Sequence, residues 1–169
     1  QESVPELPGR YFHTGFVLGP EGLVLRSPKA QAYSAPEITS LRDIYDEYRE
    51  IFGPDSVLPV VQTEIGMIGC LVESELLVPE ATRRLQRSGA EIVVHPSLER
   101  SPADGPPYTA MRQAVAYANG VYVLSATTAR EVKDSDPLGS PWWGAHSLVV
   151  GPDGRIDVSV GPRGEGVAI

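Results

Sequence analysis

Residues 65–80 read Ile-Gly-Met-Ile-Gly-Cys-Leu-Val-Glu-Ser-Glu-Leu-Leu-Val-Pro-Glu, and this stretch carries the strongest structural signal in the chain. Its apolar part, residues 67–72, predicts a buried strand. Pro79 predicts the first turn of a helix that runs to Arg87, and Gly89 is the expected stop. The polar residues between the two elements predict a sharp turn that presents one side chain at the edge of a sheet. Glu73 occupies that position.

The sequence downstream continues the alternation of strand and helix. Residues 91–95 predict a strand, and residues 121–126 predict another after the break at Gly120. Between them lies an apolar series that marks a helix: Tyr108, Met111, Val115 and Ala118. At the end of the chain, residues 146–160 predict a hairpin around Gly151-Pro152-Asp153-Gly154.

The sequence upstream adds a hairpin, a helix and a strand. Residues 16–25 predict the hairpin, and residues 57–62 predict the strand. A helix over residues 37–52 is predicted from one apolar stripe at helical spacing: Ile38, Leu41, Tyr45, Tyr48 and Phe52. Together the elements predict an α/β layered fold with a mixed sheet, forming a single domain over residues 1–169.

Composition excludes several classes of function. The chain has 169 residues, of which 41% are apolar, enough for one ordinary core. A formal net charge of -8 argues against a nucleic-acid or anionic-membrane surface, and no apolar run is long enough to span a bilayer. The first residues do not resemble a signal peptide, and a single cysteine excludes an internal disulfide. We therefore expect a cytoplasmic protein that binds neither nucleic acid nor membrane.

The segment quoted above resembles the pattern I-G-x-I-G-x-x-I-C-Y-[DE]-x-x-F-P-E of the carbon–nitrogen hydrolase (nitrilase/amidase) superfamily. The resemblance continues without a gap to His95-Pro96-Ser97. Further blocks agree in order, namely residues 12–15, 26–29, 122–126 and 144–147. It implies the α-β-β-α sandwich of that family, with this chain supplying the C-terminal portion. Without the N-terminal part, apolar faces would be uncovered, so we expect a homo-oligomer or a companion N-terminal chain.

The resemblance also implies a set of site residues. In this family a glutamate base, a lysine and a cysteine nucleophile hydrolyse amides or nitriles without a cofactor. Lys29 matches the lysine, and Ser74 supplies the backbone amide that follows the nucleophile. Ser97 and Trp142 are expected to line the pocket. Glu37 is either the family's second glutamate or an acid that favours a helix N-terminus.

Three positions depart from the family pattern: Glu73 stands at the nucleophile, while His13 and Thr127 each replace an asparagine. Cys70 is no substitute, since three residues along a strand turn it to the opposite face, where it is expected in the core. A carboxylate opposite Lys29 predicts an ion pair that opposes the build-up of an oxyanion.

Two functional hypotheses follow from these departures. In the first, the chain is impaired in hydrolysis and retains a pocket for a small amide, nitrile or carboxylate, or a structural role. In the second, it is an active hydrolase of an amide or nitrile bond, completed by another chain or using Glu73 in a non-standard role. The three histidines do not pair at metal-ligand spacing, so no metal is expected.

Overall fold

The computed structural model describes residues 2–31, 38–98, 106–127 and 146–161, with the backbone alone at positions 106 and 107. The strands are β1 (Thr14–Gly19), β2 (Gly22–Pro28), β3 (Val60–Thr63), β4 (Gly66–Cys70), β5 (Ile92–Ser97), β6 (Tyr122–Thr127), β7 (Ser147–Val150) and β8 (Ile156–Val160). The α-helices are α1 (Tyr45–Phe52), α2 (Pro79–Arg87) and α3 (Pro106–Asn119). Two 3-10 helices cover Leu41–Ile44 and Glu73–Leu77.

Strands β3 to β8 form one six-stranded sheet in sequence order. Its centre, β4-β5-β6, is parallel, whereas β3, β7 and β8 pair antiparallel with their neighbours. Parallel neighbours require a crossover between them, and helices α2 and α3 follow β4 and β5 in the chain for that reason. The predicted mixed sheet is confirmed.

Helices α2 and α3 cover one face of this sheet. Leu85 of α2 lies directly over Gly69 of β4, where a Cβ atom would come within 2.9 Å of the leucine methyl carbons. Gly69 therefore lets the helix approach the strand closely. Ala116 of α3 is buried in the same core as Val93 and Val123 of the central strands.

Strands β1 and β2 form a separate antiparallel hairpin that packs on the opposite face. Gly15 of β1 sits against the Cys70 sulfur and Val72, and the Ser27 hydroxyl donates a hydrogen bond to the Cys70 carbonyl oxygen at 3.0 Å. Leu25, Cys70 and Val72 form a second small apolar core between the two sheets. Cys70 is a free, buried residue of this core, as predicted.

Helix α1 packs on the outer side of the hairpin. Arg26 alternates with the inward Leu25 and Ser27 along β2, and its guanidinium lies 5.4 Å from the centre of the Phe52 ring. The order of layers is helices α2 and α3, the six-stranded sheet, the hairpin, then α1. The predicted α-β-β-α sandwich is confirmed in its fold class.

The predicted inward faces of two helices are largely confirmed, since Leu41, Tyr48, Met111 and Val115 lie in or against the core, but Tyr45 and Ala118 were predicted incorrectly. The segment before α1 is a 3-10 helix, whose three residues per turn rotate the stripe, so Ile44 is buried and Tyr45 is exposed. In α3, Ala118 is exposed, while Arg112 and Ala116 face inward. Arg112 is accommodated because its Nη1 donates to the carbonyl oxygen of His146 at 3.4 Å.

Strand boundaries near the predicted turn also shift. The strand predicted from residue 57 begins at Val60, because Leu58 adopts a left-handed φ of 52° and Pro59 has no N–H to donate. The next strand ends at Cys70, two residues early, because the Val72 amide donates to a side chain and not to a strand neighbour.

Part of the sheet face that meets the hairpin remains half exposed. The hairpin packs over Val61, Cys70 and Val94, which belong to β3, β4 and β5. Further along the same face lies an open groove of about 240 Å³ that is lined mainly by apolar side chains of β6 to β8: Leu124, Ala126, Val149, Val158 and Val160. Among the described residues, no helix is long and apolar enough to cross a membrane.

Candidate active site

The turn after β4 holds Glu73 in an unusual backbone conformation. Its φ of 52° lies in the left-handed region, which costs a non-glycine residue roughly 1 kcal/mol or more. Glu73 is also the first residue of the 3-10 helix Glu73–Leu77. The predicted sharp turn is therefore present, and it presents the Glu73 side chain with 32% of its surface exposed.

Lys29 lies immediately after β2 and faces Glu73. Its side chain is only 4% exposed, and Nζ donates to Glu73 Oε2 at 2.6 Å. The Lys29 amide donates to the carbonyl oxygen of His13 at 2.7 Å, which anchors the lysine backbone to the start of β1. The ion pair predicted between Lys29 and Glu73 is present.

His13 approaches the same carboxylate from the more exposed side. Its Nδ1 is 3.8 Å from Glu73 Oε2, and about a third of the side chain is exposed. A histidine at this position can accept or donate a proton near Glu73, which an asparagine cannot do.

His95 contacts the backbone of Glu73 from the buried side of the turn. Its Nε2 lies 2.8 Å from the Glu73 carbonyl oxygen, and its Nδ1 lies 2.9 Å from the Ser125 hydroxyl. A carbonyl oxygen only accepts, so Nε2 carries the proton and Nδ1 accepts from Ser125. Burial lowers the pKa of His95 to about 4, which keeps this imidazole neutral at pH 7. At 1% exposure, His95 lies in the interior, beneath the turn that carries Glu73.

Glu75 is a second buried acid beside the ion pair. Its Oε1 accepts from the Ala30 amide at 2.6 Å and its Oε2 from the Val72 amide at 2.8 Å. Burial raises the pKa of Glu75 to about 7, against the lowering effect of these hydrogen bonds and of Lys29. Sequence reasoning missed this residue, although it stands at the [DE] position of the family pattern.

The other predicted residues have different outcomes. The Ser74 hydroxyl is buried and has no hydrogen-bond partner within the described ranges. Ser97 ends β5 on the same face as His95, in register with Thr127 of β6. Glu37 and Trp142 lie outside the described residues. The roles assigned to all four from the family resemblance remain predictions.

Cys70 does not contribute a reactive thiol to the site. It is 1% exposed, and burial, with a smaller effect from Glu75, raises its pKa to about 12. A thiol that remains protonated and is shielded from solvent is a poor nucleophile. In the described part of the chain, no group of three or more His, Cys, Asp or Glu side chains is arranged to hold a metal ion.

Comparison with known proteins identifies the family. The sequence model described as carbon-nitrogen hydrolase matches residues 9–169, so the chain belongs to the carbon–nitrogen hydrolase family. The chain is similar to omega-amidase NIT2 of Xenopus tropicalis, with 26% identity over 161 residues. Omega-amidase NIT2-B of Xenopus laevis matches to the same extent. The alignments cover 94% of this chain and 55% of each relative, so the chain spans about half the length of these curated relatives.

Solved structures agree on the fold. Nit3 of Saccharomyces cerevisiae, from the nitrilase superfamily, superposes with a TM-score of 0.71 at 20% identity, covering 91% of this chain and 51% of Nit3. A cysteine-to-serine variant of the Nesterenkonia amidase gives a TM-score of 0.71 at 21% identity, covering 95% of this chain and 56% of the amidase. These matches show that this chain shares the fold of the two solved structures.

Proposed function

We propose that this chain binds a small amide, or a related nitrile or carboxylate, at the Lys29–Glu73 pair and is impaired in hydrolysing it. One observation carries the proposal, the 2.6 Å contact between Lys29 Nζ and Glu73 Oε2. A lysine that serves an amide hydrolase must stabilise negative charge that appears on the substrate oxygen. Here the Glu73 carboxylate already forms an ion pair with the Lys29 ammonium group.

The chemistry of the carboxylate supports the same conclusion. A carboxylate is far less nucleophilic toward an amide carbon than a thiolate, and its acyl product would be a mixed anhydride instead of a thioester. Cys70 cannot replace the missing thiol, because it is buried between the sheets. Removal of the catalytic nucleophile from an enzyme typically lowers its turnover rate by several powers of ten.

The proposed ligand follows from the groups available and from the relatives. Glu73 offers a carboxylate to an amide N–H, and Lys29 and the Ser74 amide offer donors to the carbonyl oxygen. The two Xenopus relatives are omega-amidases, and in one structure of the Nesterenkonia amidase the acetamide moiety of fluoroacetamide is attached to the active-site cysteine. A small primary amide is thus the first probe to test.

The test measures binding and turnover in the same sample. Acetamide is titrated into the protein by NMR while released ammonia is assayed with a coupled enzyme. We expect binding without ammonia above background, and weakened binding in Glu73→Ala. The control is Glu50→Ala, which removes an exposed carboxylate from α1 and should leave binding unchanged. Absence of binding by acetamide, acetonitrile and acetate would contradict a retained pocket.

A second candidate is an active hydrolase in which Glu73 serves as a general base. His13, 3.8 Å from Glu73 Oε2 on the exposed side, favours it because a water molecule there could pass a proton to the carboxylate. The water oxygen would then attack the amide carbon, and the Glu73 carboxyl group would return the proton to the amide nitrogen as the C–N bond breaks, so that ammonia leaves. Ammonia release that Glu73→Ala abolishes and thiol reagents do not affect would establish this candidate and refute the first.

A further inference from the structure

The carboxylate of Glu75 joins two separate segments of the chain. One oxygen accepts the Ala30 amide at 2.6 Å and the other accepts the Val72 amide at 2.8 Å. The Gln31 backbone adds a further hydrogen bond to the same side chain. Glu75 is 1% exposed, so water does not compete for these donors.

The bonded amides flank both partners of the ion pair. Ala30 directly follows Lys29, and Val72 directly precedes Glu73. A single rigid group therefore holds the backbone next to the lysine and the backbone next to the left-handed turn. Because β2 and β4 belong to different sheets, only contacts of this kind fix the separation of Lys29 and Glu73, and the hydrogen bond from Ser27 to the Cys70 carbonyl oxygen is another.

We propose that Glu75 is the positioning residue of this site: its carboxylate sets the separation of the Lys29 side chain from the side chain at position 73. The proposal rests on the proposed function only in taking Lys29 and position 73 as the site. It assigns Glu75 no contact with a ligand.

The geometry requires the two acceptor oxygens and the length of glutamate. A carboxylate presents acceptors alone, and the backbone here presents donors alone. Glutamine would turn its NH₂ group toward an amide N–H, which leaves a buried donor unsatisfied. Aspartate keeps the acceptors but is one methylene shorter, so it cannot reach Ala30 and Val72 together.

Other charged groups surround Glu75 and must be considered in any titration. Lys29 and Cys70 interact with it electrostatically. A cavity of about 310 Å³ also reaches Glu75, and the charged residues that line it are Arg42, Glu80 and Arg84. Neither Lys29 nor Glu73 lines that cavity, so Glu80 offers a matched carboxylate near Glu75 but away from the ion pair.

The test uses a thiol as a reporter of the distance to Lys29. In Glu73→Cys, the pKa of the introduced thiol is obtained from the pH dependence of its alkylation by iodoacetamide. A lysine within ion-pair distance should hold this pKa below the ordinary value of about 8.5. The native Cys70 contributes no signal below pH 10, because its own pKa is about 12.

Replacing Glu75 in the Glu73→Cys variant distinguishes its effect on the position of Lys29 from the effect of its own negative charge. Removal of a nearby negative charge would by itself lower the thiol pKa, whereas loss of position moves Lys29 away and raises it. We expect Glu75→Gln and Glu75→Asp each to raise the thiol pKa by about one unit. Glu80→Gln should not raise it. Glu75→Asp keeps the carboxylate, so its effect on the thiol pKa reports only the shorter side chain. If circular dichroism shows that Glu75→Gln does not fold, Glu75→Asp alone decides the test.

The possible outcomes are distinct. An unchanged or lowered thiol pKa in folded Glu75→Asp would overturn the proposal, and so would an unperturbed thiol pKa in Glu73→Cys itself. Acetamide plays no part in this measurement. Failure of the proposed function, which appears as absent acetamide binding or as Glu73-dependent ammonia release by the unsubstituted protein, is therefore recognised separately.

Discussion

At the scale of single residues, exchanging cysteine for glutamate changes the charge, length and reactivity of the group that faces Lys29. A thiolate is a nucleophile that needs the lysine nearby, whereas a carboxylate forms a hydrogen-bonded ion pair with it at 2.6 Å. Lys29 is nearly fully buried, so its charge needs a partner. Glu73 supplies that partner, and we propose that it stands at the position from which attack would begin.

His95 links this site to the acid stability of the protein. Its pKa is lowered by burial from 6.5 to about 4, so the unfolded state binds a proton more readily and stability is lost as pH falls through this range. His95→Gln should keep both hydrogen bonds without titrating. We measure the free energy of unfolding in urea for the variant and for the parent. The variant's value minus the parent's should be larger at pH 4 than at pH 7, by on the order of 3 kcal/mol.

The His95 experiment needs a control for the titration of Glu75. Glu75 acts in the opposite direction, because its pKa is raised from 4.5 to about 7 and it therefore adds stability as pH falls. For this reason the variant is compared with its parent at each pH. If His95→Gln runs parallel to the parent, the neutral buried imidazole is contradicted.

Sequence reasoning found the residues that match the family pattern and missed the residues that support them. Lys29 and Glu73 could be predicted because each stands at a fixed spacing within a recognised block. His95 and Glu75 act through backbone groups of distant segments, and those contacts exist only after folding. The alternation of Val93 and His95 along β5 does place His95 on the buried face, but its carbonyl partner has no signal in the sequence.

At the scale of elements, the contact of β1 with β4 sets how closely the two sheets approach. A side chain at Gly15 would overlap the Cys70 sulfur and crowd Val72. We expect Gly15→Ala to lower the free energy of unfolding by about 1–3 kcal/mol through overpacking, measured by urea denaturation.

The Gly15 prediction has a matched control and a compensating change. Gly161→Ala adds the same methyl group where no atom of the described residues lies within 4 Å, and it should be nearly neutral. Gly15→Ala combined with Cys70→Ala should recover most of the loss, because the second change removes the clashing sulfur. Equal effects of Gly15→Ala and Gly161→Ala would show that the sheets do not meet at Gly15.

Element order was predictable because apolar periodicity and turn residues are local signals. The exposure of Tyr45 in α1 and of Ala118 in α3 was not, since each depends on tertiary context. The 3-10 helix Leu41–Ile44 rotates the stripe before α1, and Arg112 is buried where it donates to the carbonyl oxygen of His146, a residue distant in sequence. An apolar period of 3.6 residues predicts neither the 3-10 helix nor the burial of Arg112.

At the scale of the whole molecule, the described sandwich leaves apolar surface accessible. The hairpin exposes Phe16, Leu18 and Leu23, and Leu18 lies opposite Leu23 across the two strands. The groove along β6 to β8 adds further apolar surface. Surfaces of this kind mark interfaces, so we propose that a second copy or a companion chain covers them.

This surface predicts self-association of the 169-residue chain alone. Size-exclusion chromatography with light scattering should show dimers or larger species at micromolar concentration, and Leu18→Lys with Leu23→Lys should shift them toward monomer. Tyr117→Lys, at an exposed position on α3, is the control and should have no such effect. A monodisperse, cooperatively unfolding monomer in the unsubstituted chain would contradict the prediction.

The most direct test of the central claim, that Glu73 holds the nucleophile's position beside Lys29, is intact-mass spectrometry after incubation with fluoroacetamide at pH 7. A thiolate in that position displaces fluoride and retains the acetamide group. We predict no adduct on the unsubstituted chain, one adduct on Glu73→Cys, and much slower addition in Glu73→Cys combined with Lys29→Met. An adduct on Cys70 of the unsubstituted chain, or no addition to Glu73→Cys, would contradict the account.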